Sequence, residues 1–323
     1  MKKLGRGMLS ALLLIGAPAV AQVHWDMPTA YSGDNFHTQN IKQFARDVDE
    51  ATNGQFKITV HDSASLYKAT EIKRAVQTGQ AEIGEIYLAN FNNENAIYGL
   101  DTIPFVAANY GEARKLNDVA QPVLDKLFAK QRMKLLFSVP WPLNGIYSVK
   151  TISSGADLRG MKWRAYNSVS GRMAELLHAQ PVTIQAAELS QALATGAVEA
   201  FMTSSAAGYD SKVWEQVKYF YNSNISMPKN FVIVNNKAFD ALDDGMKKAL
   251  LDAAAKAQKR GWQVSEEKNQ WYLGQLSANG MSVETPTPQL EADLKKIGHT
   301  MLNEWLEKTG AEGKAIIEAY RAK

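Results

Sequence analysis

The chain has 323 residues, 46% of them hydrophobic and 21% charged, with 36 Lys+Arg against 33 Asp+Glu and no cysteine. The absence of cysteine excludes a disulfide framework and a lipid-modified cysteine anchor. The excess positive charge sits in the first 21 residues, as Lys2, Lys3 and Arg6, so the rest is balanced and nothing in it argues for nucleic acid.

In chain order, a basic start leads into an apolar run, Met8 to Ile15, too short to span a bilayer. Ala19-Val20-Ala21 follows the small-x-small rule, so the sequence predicts a signal peptide over 1–21, cleavage before Gln22 and a periplasmic product. The roughly 300 residues that remain suit two domains. No later run is apolar over the length of a membrane helix.

Val23 to Met27 reads as a first strand. Thr38 then caps a helix with Ile41, Phe44, Ala45 and Val48 on one face, stopped at Asn53-Gly54. Phe56 to Val60 alternates as a strand, Ile72, Ala75 and Val76 mark a helix ending at Gly79, and Ala81 to Leu88 is a third strand. This rhythm predicts an α/β fold with a mostly parallel sheet and helical crossovers. Pro140-Trp141-Pro142-Leu143-Asn144-Gly145 interrupts it and marks a crossing between lobes.

A second α/β run follows, with strands near Ile146–Val149, Met161–Ala165, Pro181–Ile184, Val198–Met202 and Val217–Tyr221 and helices near Ser168–His178 and Ala187–Thr195. Met227-Pro228-Lys229-Asn230 marks the return crossing before a strand at Phe231–Asn235. From Ala238 to about Leu276 no proline occurs, and Met246, Leu250, Ala253 and Ala257 trace a stripe. A continuous helix there would reach roughly 55 Å and touch both lobes, with Gly245 and Gly261 as weak points and two bent helices as the alternative. Two short helices follow Pro288. The expected division is lobe 1 over 22–143 with 231–270 returning to it, and lobe 2 over 144–230 with 271–323 packed on it or across both.

The sequence carries no G-x-S-x-G, P-loop, G-x-G-x-x-G or H-E-x-x-H, and its five histidines lack ligand spacing. No cofactor, metal or enzyme activity is therefore expected. The informative stretch is Asp157-Leu158-Arg159-Gly160-Met161-Lys162-Trp163-Arg164-Ala165-Tyr166-Asn167, a turn and strand that deliver Arg164 and then Asn167. A guanidinium at a strand end offers a planar fork of donors to a carboxylate. Aromatic residues gather at the expected cleft edges: Phe36 on the first loop, Tyr87 at a strand end, Trp141 at the crossing, Phe201 and Tyr209. Phe201 also fits a core position, and the loop with Asn90, Asn92 and Asn93 fits a turn as well as a ligand contact.

Several segments together resemble the DctP-like periplasmic solute-binding proteins of TRAP transporters over the whole mature chain. They are Phe44-Ala45 through Val60, Glu71 through Gly84, the Asp157–Arg164 stretch, and Pro181 with Glu188, Ala192-Leu193, Gly196 and Val198-Glu199. The resemblance implies two lobes with a cleft between them, a long spanning helix, capture of an organic acid and delivery to a TRAP permease, by a protein expected to be monomeric. It places Arg164 where the family receives the ligand carboxylate, and Asn167 at a nearby polar position, although Asn167 also reads as a helix-start residue. Thr203 and Ser204 fall on the cleft. Where some members carry a second arginine, this chain has Asn144, which favours a monocarboxylate, aromatic or branched. A sugar acid held by Asn144, Asn167, Thr203 and Ser204 is the alternative. An exported enzyme using Glu85 or Asp210 as acid or base is a third reading.

Overall fold

The computed structural model describes residues 22–323; the predicted signal peptide lies outside the described residues. The elements run β1 (Val23–Pro28), α1 (Phe36–Ala51), β2 (Phe56–His61), α2 (Ile72–Thr78), β3 (Ile83–Tyr87), α3 (Tyr110–Lys130), β4 (Met133–Pro140) and β5 (Asn144–Ser148). They continue with β6 (Lys162–Ala165), α4 (Ser168–Leu176), β7 (Gln180–Thr183), α5 (Leu189–Ala194), β8 (Ala200–Ser204), α6 (Ser205–Asp210) and β9 (Tyr219–Tyr221). The last are β10 (Lys229–Asn235), α7 (Asn236–Asp240), α8 (Asp244–Ala278), β11 (Ser282–Glu284) and α9 (Pro288–Ala322).

The fold is two-lobed α/β. In the first lobe β1 and β2 pair in parallel, and β3-β10-β4 form a neighbouring sheet. The second lobe is built on a six-stranded sheet in the order β11-β9-β5-β8-β6-β7. The expectation of a mostly parallel sheet is corrected here: β10 runs antiparallel to both β3 and β4, and β5 antiparallel to β8 and β9. The reason is the chain path. β10 returns from the second lobe and enters the first against the direction of the strands already there. All seven of its residues are buried, which suits the continuous apolar run Phe231–Val234.

The two crossings lie side by side. Trp141 N donates to Pro228 O at 2.8 Å, Asn144 N to Ser226 O at 2.9 Å and Ile225 N to Asn144 O at 2.9 Å. Caps also differ from expectation. Asn35, not Thr38, caps α1, its side chain accepting from His37 N at 2.8 Å, while Thr38 is buried inside the helix.

α8 is one continuous helix of 35 residues, about 52 Å long, capped by Asp243. It packs on α1 and β4 of the first lobe and on α6 and β11 of the second. Gly261 is no bend: a Cβ there would stand 2.4 Å from a Val139 methyl and 2.8 Å from the Asn40 amide, so the glycine permits close packing on β4 and α1. α9 is two helices that meet at a kink at Gly310, where φ is 59°, in line with the two helices expected after Pro288, although the one before the glycine is not short. It touches α3 of the first lobe and α4 of the second.

Candidate functional site

A cavity of about 280 Å³ opens between the lobes at the crossings. Strand ends contribute Tyr87 from β3, Arg164 from β6 with Tyr166 just past it, and Thr203 and Ser204 from β8, with Trp141, Asn144 and Pro228 from the crossings. Loops supply Ala30 and Tyr31, residues of the 64–70 segment, Asn90, and residues of the 185–189 segment.

Arg164 is 5% exposed and lines this cavity. Strand alternation puts Trp163 into the core and Arg164 on the opposite face. Its Nε donates to Ile184 O at 3.0 Å, and its guanidinium carbon lies 4.7 Å from the Tyr166 ring centroid. Among the described residues it forms no salt bridge. Burial lowers its pKa, while Tyr166, Tyr87, Tyr31 and Glu188 act against that. A guanidinium stays charged even so, and the strand thus presents a desolvated cation to the cavity.

Of the residues predicted from sequence, Arg164, Asn144, Trp141, Thr203, Ser204 and Tyr87 line the cavity together. Asn144 donates from its amide to Ser226 Oγ at 3.1 Å, and the Ser204 hydroxyl accepts from Ala207 N at 3.1 Å as the cap of α6. The structure does not bring the other three to the wall. Asn167 caps α4, its side chain accepting from Ser170 N at 2.9 Å. Phe36 is not on a loop: it is the buried first residue of α1 and packs edge-on behind Trp141, with centroids 5.6 Å apart. Tyr209 turns instead to Trp214, Trp271 and Tyr272. Phe201 stacks on Tyr147 in the core at 4.7 Å.

Sequence reasoning missed Tyr31, Tyr166 and Lys68. Tyr166 lay in the informative stretch, two residues past Arg164 and therefore on the same side of the strand end. Lys68 sets a second, exposed cation at the cavity rim.

Residues 29–309 match the DctP family, described as bacterial extracellular solute-binding protein, family 7. The chain belongs to that family. The C4-dicarboxylate-binding periplasmic protein DctP of Rhodobacter capsulatus is 25% identical over 98% of this chain and 96% of its own length. DctP6, a Bordetella pertussis extracytoplasmic solute receptor binding pyroglutamic acid, superposes with a TM-score of 0.92 at 50% identity, over 93% of this chain and 100% of its own. A marine metagenome TRAP solute-binding protein in complex with pyroglutamate gives a TM-score of 0.92 at 42% identity, over 94% and 100%. The protein is therefore an extracytoplasmic solute receptor of the TRAP type, from a family of organic-acid binders.

Behind the receptor's cavity lies a buried polar layer. Asn230 Oδ1 accepts from Trp141 Nε1 at 2.9 Å and from Tyr31 Oη at 3.3 Å. Thr29 Oγ1 donates to Glu85 Oε2 at 2.6 Å, and His37 Nδ1 stands 3.7 Å from the other carboxylate oxygen. Burial pushes Glu85 up to about 7, with Thr29 and Asn230 offsetting part of the effect, and it holds His37 well below its ordinary value, hence neutral. Glu85 does not line the cavity. Asp210 does not either; its carboxylate accepts from Asn35 Nδ2 at 2.6 Å. Among the described residues no cluster of His, Asp and Glu is gathered for a metal, and no helix is long and apolar enough to cross a membrane.

Proposed function

We propose that this receptor captures pyroglutamate, or a closely related cyclic monocarboxylate, in the periplasm and hands it unchanged to a TRAP permease, acting as a monomer. The observation that carries the reading is Arg164, a buried cation with no carboxylate partner among the described residues, facing an aromatic-walled cavity. Holding that charge out of water is costly, and a ligand carboxylate offsets the cost with paired, charge-assisted hydrogen bonds. A neutral analogue leaves the guanidinium unpaired, which makes the contact selective.

The size and lining support a small ring. Ligand cavities commonly span roughly 300–1,000 Å³, so 280 Å³ suits a compact solute. Tyr31, Tyr87, Trp141 and Tyr166 offer flat apolar faces. A lactam brings one N–H and one carbonyl. Asn90 lines the cavity with a buried side-chain oxygen that lacks a hydrogen-bond partner and can accept that N–H. Asn144 stands where a second arginine would favour a dicarboxylate. The two pyroglutamate-binding relatives at 50% and 42% identity support the same class.

Calorimetry on the mature protein with pyroglutamate, succinate, glucuronate and gulonate tests this reading. Saturable binding of pyroglutamate with at least tenfold weaker binding of the others is expected. Tight binding of a sugar acid or dicarboxylate without pyroglutamate binding overturns it.

A further inference from the structure

We propose that Asn230, which does not itself line the cavity, is the positioning residue that sets its aromatic walls and thereby its preference for a ring. The inference rests on reading this cavity as the ligand site. Asn230 is 2% exposed on β10. Its side-chain oxygen receives Trp141 Nε1 at 2.9 Å and Tyr31 Oη at 3.3 Å. An indole N–H only donates, so the atom that meets it must be the amide oxygen. Trp141 and Tyr31 both line the cavity and meet edge to face, with centroids 4.9 Å apart.

The third wall, Tyr87, sits directly opposite Asn230 in the antiparallel register, so the two side chains share one face of the sheet. One amide therefore bonds two walls and flanks a third. The strand that carries it is itself pinned at its start: Lys229 Nζ lies 3.0 Å from Asp101 Oδ2, and Lys229 N donates to the same oxygen at 3.1 Å. If the acceptor is lost, two donors at the wall lose their partner. Leaving a buried N–H unpaired is costly, so the indole reorients and the slot between the rings changes shape.

The test compares Asn230→Leu, which removes the acceptor, with Asn230→Asp, which keeps an oxygen in place. Two readouts are used: affinity for pyroglutamate and for lactate, an acyclic carboxylate, and the indole N–H resonance of Trp141, assigned through Trp141→Phe. Asn230→Leu is expected to weaken pyroglutamate about tenfold or more, to narrow the pyroglutamate-to-lactate ratio and to move the indole resonance. At pH 5, where Glu85 keeps its proton, Asn230→Asp should stay within about threefold of wild type with the resonance in place. An Asn230→Leu protein with wild-type affinity, or an Asn230→Asp protein as weak as Asn230→Leu, overturns the inference. If the wild type does not bind pyroglutamate, the functional reading fails by itself, and the resonance in the two variants decides this inference alone. If Asn230→Leu does not fold, Tyr31→Phe removes one donor from the other side, and undiminished affinity there overturns the inference.

Discussion

Replacing Glu85 by glutamine should make the receptor more stable at neutral and alkaline pH while leaving it unchanged in acid. Glu85 lies in the buried layer behind the cavity, where burial raises its pKa from an ordinary 4.5 to about 7. At about 1.4 kcal/mol per pH unit, ionising it inside the fold costs on the order of 3 kcal/mol relative to the unfolded chain. Because the folded pKa is the higher one, the native state holds more protons between pH 4.5 and 7, so stability is greatest below 4.5 and falls as pH rises through 7. Glutamine keeps an oxygen to accept from Thr29 and carries no titration. Urea unfolding of wild type and Glu85→Gln in steps from acid to mildly alkaline pH isolates this group, since Asp101 and Asp210, also raised by burial, contribute equally to both proteins. The stability difference should grow across pH 4.5 to 7 to about 3 kcal/mol and then level off. Parallel curves, with a constant difference at every pH, would refute the assignment of Glu85 as a buried group titrating near neutrality.

Arg164→Met should abolish detectable binding of pyroglutamate by calorimetry and at the same time raise the midpoint of the ligand-free protein, because it removes a desolvated charge with no ion-pair partner among the described residues; a lower midpoint with binding retained contradicts the clamp. Gly261→Ala should lower stability by about 1–2 kcal/mol, because overpacking against Val139 outweighs the gain in helix propensity; a more stable variant in denaturant unfolding would show that Gly261 is not a packing glycine. Asp210→Ala removes the acceptor of the Asn35 bond between α6 and the start of α1, so affinity should fall about tenfold, and the radius of gyration of the saturated protein should exceed that of wild type in solution scattering; matching profiles and affinities would exclude a closing role.

The parts of this fold that were legible in the sequence are those where local pattern and final environment agree. The Phe44 and Val48 stripe and the Phe56–Val60 alternation each point to one structure, and each forms it, while the proline-free run, open to one helix or two, resolves into the short α7 and the continuous α8. Between the Asn90–Asn93 loop and the crossing at Pro140 the sequence pattern assigns no element. α3 carries Pro122 in its middle, which locally reads as a breaker, yet Leu116, Ala120, Leu124 and Phe128 bury a regular face around it. The antiparallel placement of β10 depends on the path of the chain between lobes, which no local window contains. At the site, strand-end logic reached Arg164 and Tyr87 as wall residues and the family resemblance reached Thr203, whereas Phe36 and Tyr209 lie behind the wall because aromatic character alone does not distinguish a wall from the packing behind it. Asn167 shows the competition for polar side chains most simply. Its side-chain oxygen accepts from Ser170 N and caps α4, while its amide nitrogen is buried without a hydrogen-bond partner among the described residues.

The same residues that join the lobes also line the cavity, so we infer that, if it is the ligand site proposed above, capture and closure are one event. Trp141 and Asn144 belong to the outgoing crossing and Pro228 to the returning one, and backbone hydrogen bonds tie the two segments together. On either side of the floor the lobes touch through separate contacts. Asn35 donates to Asp210, Ser168 Oγ donates to Asn92 Oδ1 at 2.6 Å, and Tyr87 of one lobe meets Tyr166 of the other edge-on at 6.0 Å. Any rotation about the crossings that separates Asn35 from Asp210 or Ser168 from Asn92 also draws Tyr87 away from Tyr166, the ring beneath the Arg164 guanidinium. Opening would therefore admit water to that guanidinium and weaken its hold on an anion, because the pair gains strength from exclusion of solvent. A carboxylate on Arg164 favours the closed arrangement by the differential affinity between the two states and no more. Under the proposed function, the buried cation would be the element through which ligand chemistry is converted into lobe position, the feature we propose a permease reads.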